Sequence, residues 1–256
     1  MKLQLLILSL LPMTVFANGY TWMGDLSHHV HLSESVLTFG LVCVLLLLVG
    51  LTYRIIVGKN TNPIIPDKGL TFRNAIEGLG QLMYNLCVSV MGEEQTKKYY
   101  SAIIMVFLLV FFSNIIGLVP GFLPPTENLN VTLALGVFAF VYYNIEGIRA
   151  QGLWGHIKHF MGPVWYMAFL IFPIEIISHV VRPVSLALRL RGNMYGDHLV
   201  LGAFSELVPI GVPVVFMFLG LFVSFIQAFV FSLLTMVYIA MATEVHHDHD
   251  EDHAHH

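Results

Sequence analysis

Charged residues are scarce in this chain, at 11% of 256 residues, whereas ordinary soluble domains carry about 25%. With 57% of the residues hydrophobic, there is too little polar surface to face water on all sides, and a soluble globular domain is excluded. Cysteine is nearly absent. Cys43 and Cys87 are the 2 in the sequence, they lie in separate apolar segments, and their spacing builds neither a disulfide framework nor a metal cluster. The formal net charge of -4 gathers in a terminal tail, so no basic face exists for nucleic acid. No His-Glu-x-x-His and no Gly-x-Ser-x-Gly occurs, which removes the usual warrants for an intramembrane enzyme. There is also no internal repeat and no matched pair of interrupted helices, as a self-contained secondary transporter with Arg189 as an anion site would be expected to show.

What the sequence does contain is a series of apolar runs near the roughly 20 residues that a helix needs to cross a hydrocarbon core. The start, Lys2 followed by apolar residues 3–16 and then Val15-Phe16-Ala17, reads as a signal peptide over residues 1–17. Residues 18–34 follow as a periplasmic segment carrying His28, His29 and His31. The first span is expected at about 35–57, a polar loop at 59–68, and an interfacial amphipathic helix at 70–92 with Arg73, Glu77, Gln81 and Asn85 at spacings of four. A second span at about 99–119 stops at Pro120, and a third covers about 130–148. After a loop at 152–163, two over-long apolar segments, 164–204 and 210–241, suggest strongly tilted helices or bends at Pro173, Pro183 or Gly192. The expected fold is therefore all-α and integral to the membrane: five transmembrane helices plus one interfacial helix, the last two long and tilted. The membrane domain covers 35–242, and a His/acid-rich tail covers 243–256.

Lysine and arginine set the orientation, since short cytoplasmic loops collect them. Arg54, Lys59, Lys68, Arg73, Lys97 and Lys98 lie between the first two spans, residues 120–130 hold none, Arg149 and Lys158 follow the third span, and residues 206–213 hold none. This pattern puts the N-terminus in the periplasm and the C-terminus in the cytoplasm.

The fourth apolar segment carries Glu175, Ser178, Arg182, Ser185, Arg189 and Asn193 at spacings of 3, 4, 3, 4 and 4. At about 100° per residue these six share one narrow sector of a helix. Arg191 falls roughly opposite. A guanidinium at membrane depth costs from about 2.5 kcal/mol to 10 or more, so a charge kept there usually has a task. No acid sits one turn from Arg189 on its own face, which hints at a carboxylate supplied by another subunit. Because arginine stays protonated at physiological pH, it attracts such a carboxylate without carrying protons itself. Ser178 and Ser185 either line a water path or bond back to helical carbonyls.

The stretch from Arg182-Pro183-Val184-Ser185 through Leu188-Arg189-Leu190-Arg191-Gly192-Asn193-Met194-Tyr195 resembles the signature of the a-subunit family of F-type ATP synthases. Asn128-Leu129-Asn130-Val131-Thr132-Leu133 and Gln227-Ala228-Phe229-Val230-Phe231 through Tyr238 resemble two further stretches of that family, in the same order. The resemblance implies a stator subunit of the bacterial inner membrane, with no substrate chemistry of its own and no cofactor or metal. Its partners would be a rotating c-ring, the b subunit of the peripheral stalk, membrane lipid and, indirectly, the F1 sector. Two half-channels would pass protons to and from c-ring carboxylates. Arg189 matches the family's essential arginine, and Asn193 and Gln227 match its polar neighbours. His198 stands where the family places a half-channel glutamate or histidine, Glu175 matches an acid of the fourth helix, and Ser178 and Ser185 lie along the same path. Gly220 departs from members that carry a second histidine there, which leaves Glu175, Asp197 or Glu206 as the expected partner of His198. Histidine at 198 favours protons over sodium, its ordinary pKa being about 6.5. The tail from His246 to His256 reads as a solvated segment, since compositional bias does not fix a coordination geometry.

Overall fold

The computed structural model describes residues 21–59, 71–119, 121–161, 168–207 and 212–243, except the side chains at 28, 59, 153–161, 168–172, 175, 176, 205–207, 212 and 213. The expected signal peptide, the 59–68 loop beyond Lys59 and the His-rich tail beyond Thr243 lie outside the described residues. Within them the chain is helical: α1 (Trp22–Val30), α2 (Glu34–Lys59), α3 (Phe72–Ile115), α4 (Leu129–Met161), α5 (Ala168–Leu207) and α6 (Val212–Thr243). Two short 3-10 turns, Ile116–Leu118 and Pro125–Glu127, connect α3 to α4. The protein is an all-α membrane protein.

Helix α1 is an element that the apolar pattern does not announce. Its N-cap Thr21 accepts a hydrogen bond from the Gly24 amide at 3.1 Å, filling one of the orphan donors of the first turn, and His31 ends it in the left-handed region with φ 57°. The Trp22 amide donates to the Gly121 carbonyl at 3.0 Å, which fastens α1 to the α3–α4 connection. Helix α2 is apolar all round. Thr38 and Val42, four apart, are buried, while Val44, Leu47, Leu48 and Leu51 are exposed, as expected of a peripheral helix that faces lipid over most of its circumference.

The expected interfacial helix and second span are both present as α3, joined at Gly92, whose backbone (φ 79°, ψ 169°) leaves the helical region. Only glycine adopts that angle at no steric cost, so the junction at Gly92 divides one assigned helix into two. The row of polar residues before it pairs within the helix: Arg73 Nε to Glu77 Oε1 at 2.6 Å and Gln81 Nε2 to Asn85 Oδ1 at 2.9 Å. Arg73 is buried, however, and the Tyr53 hydroxyl of α2 donates to Glu77 at 3.4 Å. This polar row is thus half an intramolecular contact rather than wholly a surface face.

Gly152 repeats the device in α4, with φ 75° and ψ 165°. A loop was expected over 152–163, but helix resumes directly after Gly152 and runs to Met161, because one glycine turns the chain without spending further residues on a connection. Helix α5 is continuous for 40 residues across Pro173 and Pro183, about 60 Å at 1.5 Å per residue. The 32 residues of α6 form the other long element. Among the described residues four segments qualify as spans by length and composition, Glu34–Gly58, Phe72–Leu118, Leu129–Gly152 and Val214–Thr243.

The core lies where α3, α4, α5 and α6 meet, around Met83, Cys87, Phe107, Tyr143, Leu190, Phe231, Met236 and Ile239. In lipid there is little transfer free energy between apolar helices, so association depends on close packing. Phe107, Phe111 and Phe225 pack edge-to-face or stacked at centroid distances of 5.7 to 5.9 Å, and the Cys87 and Met236 sulfurs meet at 3.8 Å. The backbones approach closely at Gly136 of α4, where a Cβ would stand 2.7 Å from the Pro183 carbonyl oxygen of α5. Glycine is required there.

Candidate functional site

The seam foreseen on α5 is exposed along most of its length. Ser178, Ser185, Arg189 and Asn193 are all exposed, as are the apolar residues Ile177, Val181, Val184 and Leu188 around them. Arg189 makes no ion pair or hydrogen bond with any described residue. Its own subunit therefore supplies no counter-charge among the described side chains. Ser178 and Ser185 bond to no helical carbonyl, whereas Ser232, Thr235 and Thr243 on α6 do so at 2.7 to 2.9 Å. Arg182, half-buried, turns inward instead and stacks its guanidinium over the Tyr238 ring at 5.1 Å. Glu175 lies on the α5 backbone, but its side chain is outside the described residues, as is that of Glu206.

One turn beyond Arg189, the Asn193 side-chain amide donates to Gln227 Oε1 of α6 at 2.7 Å. Gln227 is only 3% exposed, so the bond ties the exposed seam to the interior of the α5–α6 contact. From Gln227 the buried polar atoms continue away from Arg189 along α6 through Ser224 to Gly220, spacings of 3 and 4 that keep one helical face. Asp197, four residues after Asn193, places Oδ2 4.0 Å from where a Cβ on Gly220 would stand. Gln227 Nε2, Ser224 Oγ and Asp197 Oδ2 are buried with no hydrogen-bond partner among the described residues.

Asp197, His198 and Gly220 line a cavity of about 150 Å³ together with Leu118, Leu201 and Phe216. Leu118 closes against Gly220, since its Cδ2 would be 2.8 Å from an added Cβ. A side chain at 220 would push the Leu118 side chain aside and enter the cavity.

His198 does not share the face of Arg189. Nine residues at about 100° each place it half a turn away, whereas the seven residues from Arg191 return to nearly the same direction. That face meets the Pro125–Glu127 turn. His198 Nδ1 lies 4.0 Å from Glu127 Oε2, and the imidazole also reaches the backbone of Gly117. Glu127 is an acid that helix periodicity could not find, because it lies in a connection of 3-10 geometry far from α5 in sequence. Burial raises its carboxyl above the usual carboxylate range, Arg191 pulls it back, and Glu34 pushes it further up. Asn128, the next residue, opens α4 by accepting the Asn130 amide at 2.9 Å and donates to Ser35 Oγ of α2 at 3.1 Å. The turn that carries Glu127 is thereby held from two helices.

At the opposite end of the bundle Glu146 accepts from Arg149 at 2.6 Å, meets Lys98 at 3.3 Å and accepts from the Tyr99 hydroxyl at 3.4 Å. Lys98 of α3 and Arg149 of α4 belong to the cationic stretches that charge counting assigns to one membrane side, and here they converge on one buried carboxylate. Among the described residues no cluster of His, Cys, Asp or Glu has metal-holding geometry.

Set beside known proteins, residues 36–240 match the family profile described as ATP synthase A chain. The chain belongs to that family. It is 44% identical over 231 residues to ATP synthase subunit a of Bdellovibrio bacteriovorus, covering 90% of this chain and 100% of that protein. ATP synthase subunit a of Sorangium cellulosum is 39% identical over 226 residues, with 88% of each chain covered. That of Campylobacter jejuni is 50% identical over 160 residues, covering 62% of this chain and 71% of its own. The match over 36–240 spans all the residues of the site, from Glu127 to Gln227.

Proposed function

We propose that the chain is the stator subunit of a rotary ATP synthase membrane sector, passing protons through two half-channels to and from carboxylates on a c-ring and so coupling proton flow to ring rotation and ATP synthesis. The observation that carries this reading is the exposed, unpaired guanidinium of Arg189 on an outward face of α5, beside the Asn193–Gln227 hydrogen bond. A cation held at membrane depth without a partner of its own is stabilised once a carboxylate arrives opposite it. A ring that presents carboxylates one after another supplies such partners. Each is drawn into its ionised form opposite Arg189, and the fixed positive charge keeps protons from leaking directly between the two paths.

The buried polar atoms of Gln227, Ser224 and Asp197 without protein partners support an aqueous path on one side of Arg189, since such atoms in proteins are usually satisfied by water. That path opens at the cavity beside His198, at the end carrying the 119–128 connection, which charge counting places in the periplasm. Ser178, Ser185 and Glu175, on the other side of Arg189, belong to the second path toward the cytoplasm. The apolar outer surface around Leu188 and Phe218 would face the ring, and α2, largely exposed, leaves room for lipid and the peripheral-stalk b subunit. The protein accordingly lies in the bacterial inner membrane, N-terminus in the periplasm and C-terminus in the cytoplasm, with the F1 sector reached indirectly. It performs no chemistry alone and serves a proton-translocating complex without a cofactor.

The decisive experiment is Arg189→Ala in inverted membrane vesicles. ATP-driven acidification is expected to disappear while ATP hydrolysis by the detached soluble sector is unchanged. Acidification at the normal rate would remove Arg189 from this role.

A further inference from the structure

Among the described residues, carboxylates with a buried oxygen fall into two kinds. Glu146 is fully engaged by Arg149, Lys98 and Tyr99, an arrangement suited to fixing one charge state. Glu127 is not: its Oε2 is buried without a hydrogen-bond partner among the described residues, it stands 4.0 Å from His198 Nδ1, and His198 lines the 150 Å³ cavity. The 3-10 turn Pro125–Glu127 is rigidly placed, for Pro124 and Pro125 fix the approach and the Thr126 hydroxyl donates to Asn114 Oδ1 at 2.8 Å. A half-engaged acid on a fixed support, beside a histidine at a cavity, is a proton-exchange geometry rather than a structural brace.

We propose that Glu127 is a proton-handling residue of the cavity-side path, exchanging a proton with His198; this rests on the reading of the chain as a proton-conducting subunit. In the inward direction the Oε2–H bond of the neutral Glu127 carboxyl breaks as an N–H bond forms at His198 Nδ1, leaving carboxylate and imidazolium. Total charge is conserved, and the outward direction is the reverse. The 4.0 Å separation exceeds a hydrogen bond, so the exchange takes a small side-chain rotation or a bridging water. The charged groups that tune it are Arg191 of α5 and Glu34 of α2 around Glu127, and Asp197 adjoining His198 in the cavity wall. Arg191 opposes the carboxylate's return to the neutral form, and Glu34 favours it.

The test is ATP-driven acidification by the assembled complex in inverted vesicles, measured between about pH 6 and 8, the range in which histidine titrates. Glu127→Gln is expected to slow acidification by about a hundredfold, the low end of what a lost acid–base group costs, and to flatten its pH dependence. The double variant with His198→Ala is expected to be no slower than His198→Ala alone. Wild-type rates for Glu127→Gln across the range, or losses that multiply in the double variant, would overturn the proposal. If Glu127→Gln does not assemble, Glu127→Asp decides. Assembly with an unaltered pH profile supports exchange, and failure of the aspartate too assigns Glu127 to folding and overturns it. Arg189→Ala, run in parallel, separates the two levels. Normal acidification by that variant would sink the reading of the whole chain, while loss of acidification there with none from Glu127→Gln would sink only the role of Glu127.

Discussion

The Asn193 amide and Gln227 Oε1 meet at 2.7 Å across the α5–α6 contact, one turn from Arg189. This bond sets the axial register of two long helices at the level of the unpaired cation, and a single-turn slip would carry Asn193 about 6 Å from its acceptor.

Removing one partner of that bond is more damaging than removing both. Asn193→Leu should leave the buried Gln227 Oε1 without its donor and cost about 1 to 3 kcal/mol, whereas Asn193→Leu with Gln227→Leu should recover part of the loss. The measurement is the thermal stability of the purified complex together with acidification rate. Fully additive losses in the double variant would show that the two side chains do not interact.

Gly136 separates packing from propensity. Gly136→Ala puts a Cβ 2.7 Å from the Pro183 backbone oxygen, which no rotamer change can relieve, so α4 and α5 must part and the protein should fail to accumulate in membranes. Gly40→Ala on α2 has open space around the new methyl and should be neutral or stabilising by up to about 1 kcal/mol through helix propensity. Immunoblots of membrane fractions read both outcomes, and equal accumulation would contradict the α4–α5 approach.

The pH response of the cavity-side path should move with Glu34. Burial and the negative charge of Glu34 both raise the Glu127 carboxyl, while Arg191 lowers it. Glu34→Gln removes a like charge, ionisation of Glu127 becomes easier, and its proton is held only to lower pH. The midpoint of the acidification–pH profile should therefore shift in the acid direction. A shift toward alkaline pH, or none, would show that the two carboxylates do not sense one another.

Much of the fold was legible because the bilayer permits few solutions. Apolar runs of spanning length, the stop at Pro120, and the 3.6-residue period of Glu175 to Asn193 placed the helices and separated Arg189 from Arg191. At the loop expected over 152–163, glycine is the reason for the difference: Gly152 turns the chain and helix follows at once, as it does after Gly92, and a local breaker does not announce whether helix resumes after it. Of the partners expected for His198, Asp197 shares its cavity, and the side chains of Glu175 and Glu206 lie outside the described residues; all three lie on the same helix as His198. Glu127 escaped that reading because its proximity is made by the α3–α4 connection.

Sequence alone determined that this is a membrane protein with two costly arginines, Arg182 and Arg189, on a polar seam, since hydrophobic length and helical period are local properties that survive without tertiary contacts. The tertiary structure decided which groups face that seam and its cavity: Gln227 opposite Asn193, Gly220 opposite Leu118 and Asp197, Glu127 opposite His198. Those pairings join segments from about 20 to 100 residues apart, and only the packing of α3, α5 and α6 around residues such as Gly220 brings them within a few ångströms.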